Sequence, residues 1–183
     1  MKTICFGDSL TFGLTVKTTD KWVYLLQKMK DDLFIQRGIP GDTSGGMLAR
    51  LRPDVINDHP DRVLIMTGGN DIICGCDCGT VKANIMAMVH QCKAENIEPV
   101  VLSEIPVYLP MIPPEWTALC DFRQYNARQE ILADWYPRFA RSFHVTYIDV
   151  FHEFRILPEN YTDGIHPSAE GHKLILTTIE KVL

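Results

Sequence analysis

Three side chains in this sequence are suited to nucleophilic attack on a carbonyl group. Ser9 follows an apolar run and supplies a hydroxyl, while His166 supplies a base and Asp163 lies three residues before it. A hydroxyl is a weak nucleophile, so it needs a base to take its proton and an acid to fix the tautomer of that base. Ser9, Asp163 and His166 are therefore candidate catalytic residues for acyl transfer.

Five short apolar or β-branched runs are predicted to be β-strands, and they alternate with segments of helical periodicity. The predicted strands are Thr3–Phe6, Leu33–Gln36, Arg62–Met66, Pro99–Ser103 and Val145–Ile148. This alternation predicts a three-layer α/β/α fold around a five-stranded parallel, flavodoxin-like sheet. The chain is expected to form a single domain over residues 1–183. Pro137 is expected to end or kink the helix that begins near residue 121.

Stretches rich in glycine and polar residues follow the first, second, third and fifth predicted strands. These stretches are Gly7–Ser9, Gly38–Thr43, Thr67–Asp71 and Asp163–Pro167. The carboxyl ends of parallel strands meet at one edge of the sheet, and ligands bind there in folds of this class. We therefore expect all four stretches to lie on one rim and to form one site.

The four stretches together resemble the GDSL, or SGNH, family of esterases and lipases. The matching residues are Gly7-Asp8-Ser9-Leu10, Gly41, Gly68-Gly69-Asn70-Asp71 and Asp163-x-x-His166, in this order over nearly the whole chain. The resemblance implies the SGNH hydrolase fold and hydrolase chemistry that uses no cofactor. Gln36 and Pro40 depart from the family pattern, and these departures put the bracing of the loop that contains Gly41 in question.

The resemblance also implies which groups stabilise the negative charge that develops on the carbonyl oxygen. These donors are the backbone N–H groups of Ser9 and Gly41 and the side-chain amide of Asn70. Glycine lets the backbone approach a ligand closely, and an asparagine amide donates without carrying a charge. Gly38 is the nearest alternative to Gly41, and both Gly41 and Asn70 are also common turn residues.

Two acids in the matching stretches have a structural alternative. Asp8 and Asp71 are interpreted first as hydrogen-bonding braces of their loops, and Asp8 is also a candidate substrate contact. Ser9 and His166 have alternatives too, as a helix cap and a helix-entry residue. The remaining histidines lack a setting that matches His166. They are at positions 59, 90, 144, 152 and 172.

A cluster of three thiols follows the Asn70 stretch. Cys74, Cys76 and Cys78 alternate with other residues, so they do not form the pairs of a four-ligand zinc site. A loop of free thiols is the favoured interpretation over a metal site, and no metal is expected to take part in catalysis.

The segment 105–120 leaves the same rim after the fourth predicted strand. It contains four prolines and several large apolar side chains, which suit a wall that buries an acyl or aryl group. Tyr108, Met111 and Trp116 are the candidate substrate contacts in this segment. A contact between two copies of the chain in a homodimer is the alternative.

These features predict a serine ester hydrolase that acts through an acyl-enzyme on small or short-chain esters or thioesters. The first alternative is a carbohydrate O-deacetylase of the same family. The second is a non-catalytic small-molecule-binding module on the same fold. A phosphate- or nucleotide-binding protein is a third, but the phosphate-cradling motif GxxxxGK[ST] is not in the sequence.

Composition argues against several other classes of protein. The net charge is −5 and the pI is about 5.6, so the basic surface of a nucleic-acid-binding protein is not expected. The sequence contains no apolar run near the ~18 residues of a membrane span. Met1-Lys2-Thr3 leads directly into the first strand without a secretory pattern, and the six cysteines suit a reducing compartment. A cytoplasmic location is expected.

Overall fold

A five-stranded parallel β-sheet forms the centre of the computed structural model, which describes residues 1–118 and 120–183. The strands are β1 (Lys2–Gly7), β2 (Leu33–Gly38), β3 (Arg62–Met66), β4 (Glu98–Leu102) and β5 (Thr146–Ile148). Their order across the sheet is β2-β1-β3-β4-β5, which is the flavodoxin-like order. The predicted fold class is confirmed, and every predicted strand agrees with an observed one to within two residues at each end.

Helices connect the strands and cover the sheet. They are α1 (Ser9–Phe12), α2 (Trp22–Met29), α3 (Ser44–Asp54), α4 (Gly69–Ile73), α5 (Cys78–Ala94), α6 (Pro114–Thr117), α7 (Phe122–Phe143), α8 (Val150–Glu153) and α9 (Ala169–Glu180). Short 3₁₀ turns lie at Thr18–Asp20, Ile56–Asp58, Leu109–Met111 and Pro158–Asn160. Within the described ranges, these helices are too short or too polar to cross a membrane.

Two apolar cores lie on opposite faces of the sheet, because successive side chains of a strand point to opposite sides. Ile4 and Phe6 of β1 join the core beneath α3, α5 and α7, whereas Cys5 joins the core beneath α2 and α9. A parallel sheet that is buried on both faces leaves its strand ends as the place for a polar site. The fold thereby brings the carboxyl ends of all five strands to one rim.

Helix α7 passes through Pro137 and continues to Phe143, so Pro137 does not end the helix, which was one of the two outcomes expected from the sequence. A proline inside a helix costs about 3 kcal/mol through a lost hydrogen bond and a steric clash. Tyr136, Phe139 and Ala140 surround Pro137 and are buried against the sheet. Because each large buried apolar side chain contributes about 1.5–3 kcal/mol, this packing offsets the cost of the proline.

Candidate active site

A chain of two hydrogen bonds joins Ser9 to His166 and His166 to Asp163. The Nε2 atom of His166 is 3.1 Å from Ser9 Oγ, and its Nδ1 atom is 2.7 Å from Asp163 Oδ2. Ser9 and His166 are 7% and 8% exposed, so little water reaches the bond between them. The structure thus brings together the three candidate catalytic residues in the arrangement of a nucleophile, a base and an orienting acid.

Short turns at the ends of β1 and before α9 aim these side chains. The Asp8 carboxylate accepts a hydrogen bond from the Leu10 N–H at 2.9 Å and caps α1, so Ser9 begins a helix directly at the strand end. Asp163 Oδ1 accepts from the backbone N–H groups of Ile165 and His166, at 2.9 and 2.7 Å. The same carboxyl group therefore shapes the turn and orients the imidazole.

The Asp163 carboxyl group stays ionised beside His166. Partial burial by itself raises the pKa of Asp163, but hydrogen bonds from the side chain and backbone of His166 outweigh it, and the net pKa lies below the ordinary value. An ionised Asp163 accepts a hydrogen bond from the Nδ1–H group of His166, which leaves the Nε2 lone pair facing Ser9. His166 is thereby held in the tautomer that a general base needs.

Two other histidines differ from His166 in their surroundings. His172 is fully buried and accepts from the backbone N–H of Trp22, and burial, with the charge of Lys21, lowers its pKa to about 4. His152 pairs with Asp149 at 2.8 Å and has the same three-residue spacing as His166 and Asp163. The prediction that no other histidine has a setting like that of His166 is therefore wrong for His152. His152 is exposed and does not line the cavity beside Ser9.

Gly41 and Asn70 lie on the same cavity as Ser9. Gly41 has a φ of +81°, a backbone conformation that favours glycine, and in the described structure no atom lies within 4 Å of the position of a Cβ there. Gly38, the alternative, packs closely against the backbone of Phe12 and does not line the cavity. The geometry therefore favours Gly41 over Gly38 as an oxyanion donor.

The Asn70 amide is held by two acceptors of the protein. Its Nδ2 atom donates to Asp8 Oδ2 at 3.0 Å and to the backbone carbonyl of Asp42 at 2.8 Å. Both amide hydrogens thus have acceptors before a substrate arrives. A carbonyl oxygen that becomes negative must share one of these hydrogens or take it from its acceptor, so the charge on Asp8 matters to the strength of this donor.

Both acidic braces bind backbone or side-chain donors of neighbouring loops. Asp71 accepts from the N–H and the hydroxyl of Ser44 at 2.7 and 2.6 Å, which ties α4 to the start of α3. Asp8 lines the cavity, but its two oxygens are engaged by Leu10 and Asn70. These two hydrogen bonds support the interpretation of Asp8 as a brace, and its role as a substrate contact stays a prediction.

Arg50 connects the loops of the site, and the sequence analysis missed it. Its guanidinium donates to Asp42 Oδ2 at 2.6 Å, to the Gly7 carbonyl at 2.9 Å and to Asp54 at 2.8 Å. It also stacks on the ring of Phe6. One planar group thereby joins the end of β1, which leads to Ser9, to the loop after β2, which contains Gly41. The spacing of Arg50 and Asp54 on one helix face was the signal in the sequence.

The cavity beside Ser9 has a volume of about 270 Å³ and mostly apolar walls. It is lined by Asp8, Ser9, Leu10, Leu14, Pro40, Gly41, Gly69, Asn70, Ile73, Glu104, Ile105, Trp116, Tyr125, Ile165 and His166. Glu104 and Tyr125 are polar members of this set that the sequence analysis missed. The position of Glu104 two residues after β4, on the active rim, was the available signal.

Only one of the three candidate contacts in the segment 105–120 lines this cavity, namely Trp116. Tyr108 instead stacks on Tyr161 and donates its backbone N–H to the Gly164 carbonyl at 2.8 Å, and Met111 packs against the core under α9. The segment folds back over the turn that holds His166, so the first part of it supports that turn. Leu119, in the same segment, lies outside the described residues.

The thiol cluster leads into α5. Asp77 caps this helix by accepting from the Thr80 N–H at 3.0 Å, and Cys78 Sγ donates to the Arg128 carbonyl at 3.7 Å. In residues 1–118 and 120–183, no three His, Cys, Asp or Glu side chains are grouped so that they could hold a metal ion. Local capping therefore accounts for the acid in this loop.

The model of the GDSL-like lipase/acylhydrolase family matches residues 5–174 of the chain. The chain belongs to this family. An arylesterase of Vibrio mimicus is 30% identical to this chain in an alignment that covers 100% of this chain and 88% of the arylesterase. Thioesterase 1/protease 1/lysophospholipase L1 of Escherichia coli K12 is 29% identical over 98% of this chain and 82% of its own.

A solved structure agrees with the fold of this GDSL-like acylhydrolase. A member of the lipolytic G-D-S-L family from Veillonella parvula has a TM-score of 0.80 at 21% identity and covers 100% of this chain and 98% of its own. The resemblance drawn from the sequence and the prediction of a carboxylic ester hydrolase are confirmed by the family and the relatives. The deacetylase and the binding module are not favoured.

Variants of Asn70 distinguish a role in stabilising the oxyanion from a role in shaping the turn. If its amide donates to the oxyanion, Asn70→Ala lowers kcat by about a hundredfold or more and leaves KM nearly unchanged. Asn70→Asp is expected to be at least as damaging, because a carboxylate cannot donate and stands beside Asp8. The measurement is kcat, KM and melting temperature for both variants.

A matched control for this test is Asn84→Ala, which removes a side-chain amide that donates to Ser44 Oγ outside the cavity. It is expected to lower the melting temperature and to leave kcat within a fewfold of the wild type. An active Asn70→Asp protein contradicts the oxyanion role, since aspartate favours the same turns as asparagine.

Proposed function

We propose that this protein hydrolyses esters with Ser9 as the nucleophile, His166 as the general base and Asp163 as its orienting acid. The hydrogen-bonded chain from Ser9 Oγ through His166 to Asp163, on the wall of an apolar cavity, is the observation that supports this proposal. In the first half of the reaction, Ser9 Oγ attacks the carbonyl carbon while its proton passes to His166 Nε2.

The tetrahedral intermediate then collapses to an acyl-enzyme. His166 donates the proton to the oxygen or sulfur atom of the leaving group, which departs as a neutral alcohol or thiol. In the second half, a water molecule gives its proton to His166 and attacks the acyl carbon. Collapse of the second intermediate releases the carboxylic acid and restores the Ser9 hydroxyl, so atoms and charge balance over the cycle.

The oxyanion of each intermediate faces three donors in this proposal. They are the backbone N–H groups of Ser9 and Gly41 and the amide of Asn70, which line the cavity together. Loss of one such donor typically raises the barrier by about 3–4 kcal/mol. The bonds from Arg50 hold the loops of Gly7 and Asp42 together and keep these donors in register.

The cavity walls support an uncharged, small or short-chain ester or thioester as the substrate. The volume of about 270 Å³ lies just below the ~300–1,000 Å³ that ligand pockets usually span. Apolar side chains form most of the wall, and its described lining contains neither lysine nor arginine to pair with an anionic group. Trp116 stands at the open side and is 39% exposed, where it can cover an acyl chain.

A panel of p-nitrophenyl esters tests the substrate proposal. We expect kcat/KM to be highest for acetate or butyrate and to fall steadily through octanoate to palmitate, because longer chains exceed the cavity. Acetylated sugars are expected to be poor substrates, since the apolar wall offers their hydroxyl groups few partners. A rate that rises toward palmitate, or one that is highest for sugar acetates, contradicts the proposal.

The contribution of the wall is measured with Trp116→Ala on the same esters. Loss of the Trp116 side chain is expected to lower kcat/KM for the butyrate ester by about tenfold, because a contact with the acyl chain contributes about 1–3 kcal/mol. Trp116→Phe is the matched control, because it keeps an aromatic ring at this place and should retain most of the activity. Equal kinetics for all three proteins contradict a substrate contact by Trp116.

Three further features are part of the proposal. Residues 1–183 form one hydrolase domain, supported by the single sheet and by the family match. The protein acts in the cytoplasm, supported by its six cysteines, which are free thiols and suit a reducing compartment. Its partner is a small-molecule ester rather than nucleic acid or a membrane, and a homodimer stays a prediction from the segment 105–120.

A further inference from the structure

Glu104 is a buried acid that the catalytic scheme leaves without a role. It follows β4 on the active rim, is 1% exposed and lines the cavity beside Asp8 and Asn70. Its Oε2 atom accepts a hydrogen bond from Gln129 Nε2 at 3.0 Å, whereas its Oε1 atom receives no N–H or hydroxyl donor from the described residues. A buried carboxyl oxygen without a donor is costly as part of an anion and suits a neutral acid.

The Asp8 carboxyl group lines the same cavity as Glu104, and hydrogen bonding between the two side chains raises the pKa of Glu104 and lowers that of Asp8. Two carboxyl groups form a hydrogen bond only when one of them has a proton. The two oxygens of Asp8 already accept from the N–H of Leu10 and from Asn70 Nδ2. Asp8 therefore acts as the acceptor, and the proton between the two groups belongs to Glu104.

Most of the groups that face Glu104 favour its neutral form, whereas the backbone N–H of Gly69 lowers its pKa. Asp8 faces it from the loop after β1, Asp71 from α4, and Tyr125 and Tyr136 from α7, and none of these groups is a cation. Burial, followed by the charge of Asp8, raises the pKa of Glu104 well above its ordinary value. Burial raises the pKa of Asp8, although the hydrogen bonds from Glu104 and from the Leu10 N–H lower it. His166 also lowers this pKa and Asp42 raises it.

We propose that Glu104 is a positioning residue that donates a hydrogen bond to Asp8 as a neutral acid, so that Asp8 holds the Asn70 amide in place for the oxyanion. The shared proton also limits the acid pair to one negative charge next to a site where a second negative charge develops. Ionisation of Glu104 places two like charges side by side, which pulls the Asn70 hydrogen toward Asp8 and repels the oxyanion.

This inference rests on the proposed oxyanion role of Asn70, and two variants of Glu104 test it. Glutamine reproduces a neutral acid, because its amide N–H₂ donates to Asp8 while its oxygen accepts from Gln129. At pH 7, Glu104→Gln is expected to keep kcat within about threefold of wild type. Glu104→Ala leaves Asp8 without its donor, and we expect kcat to fall about ten- to hundredfold with KM nearly unchanged.

The pH dependence of kcat distinguishes a hydrogen-bond donor role of Glu104 from a purely structural role. As pH rises through the raised pKa of Glu104, the acid loses its proton, so kcat of the wild type falls on the alkaline side. Glu104→Gln has no proton to lose there, and this alkaline limb is expected to disappear. Ser103→Ala is the matched control, because Ser103 is the buried neighbour of Glu104 and its hydroxyl bonds Tyr147 and Phe151 instead.

Infrared spectroscopy tests the protonation of Glu104 without reference to activity. The difference spectrum between wild type and Glu104→Gln at pH 7 is expected to contain the carbonyl band of a protonated carboxylic acid. Absence of this band, a Glu104→Gln protein as impaired as Glu104→Ala, or a Glu104→Ala protein with wild-type kcat overturns the inference. An active Ser9→Ala protein overturns the proposed function instead, and the infrared result still decides the state of Glu104.

Discussion

Replacing Ser9 by alanine is expected to lower kcat by about 10⁴-fold or more and to leave the protein folded. The hydroxyl of Ser9 is the one that meets His166 Nε2 on the cavity wall, and alanine has no atom to form the acyl-enzyme. The residual rate comes from the oxyanion donors and from substrate binding. The measurements are kcat with p-nitrophenyl butyrate and covalent labelling by a fluorophosphonate probe.

The probe is expected to label Ser9 in the wild type and no serine in Ser9→Ala. Ser142→Ala is the matched control, because Ser142 is exposed near the end of α7, and this variant should keep both activity and labelling. Ser44 and Ser168 are engaged by Asp71 and by the Glu159 carbonyl, so neither is a free nucleophile. Labelling at either of them in the wild type contradicts the assignment of Ser9.

Loss of the base has an effect of similar size. His166→Ala is expected to lower kcat by about 10⁴-fold or more, because Ser9 then has no acceptor for its proton and the leaving group has no donor. KM is expected to change much less, since the apolar wall of the cavity is intact. The measurement is kcat and KM on the same ester, with the melting temperature to show that the protein is folded.

The second Asp-x-x-His pair of the chain supplies a matched control for this variant. His152 is bonded to Asp149 at 2.8 Å with the same spacing, but it is exposed and stands outside the cavity. His152→Ala is therefore expected to keep kcat within a fewfold of wild type. If His166→Ala retains kcat within tenfold of wild type, another group acts as the base and the assignment of His166 is wrong.

The strands and their carboxyl-terminal polar stretches could be predicted because they depend on local patterns. The apolar runs from β1 to β5 bury both faces of the sheet, so their composition alone marks them as strands of a parallel sheet. The end of helix α7 was harder to predict. The cost of Pro137 can be recognised in the sequence, whereas the packing of Tyr136 and Phe139 that offsets this cost depends on the tertiary structure.

The wall of the cavity was the part of the site where sequence patterns were least informative. Tyr108, Met111 and Trp116 share one apolar, proline-rich segment, yet only Trp116 lines the cavity, because the segment turns back over Gly164. Glu104 and Arg50 were not predicted as residues of the site. Each is an ordinary charged residue in the sequence, and each acquires its role from partners that lie far along the chain.

The fold class, the family and the rim on which the site forms could all be predicted from the sequence. Strand periodicity, glycine-rich strand ends and the order of the four motifs are local properties, and a parallel sheet brings such ends together. The tertiary structure was needed to show that the second Asp-x-x-His pair, Asp149 and His152, lies away from Ser9, and that Asp8 binds the Asn70 amide beside Glu104. These features depend on distances and burial between residues from separate strands, which spacing along the chain does not encode.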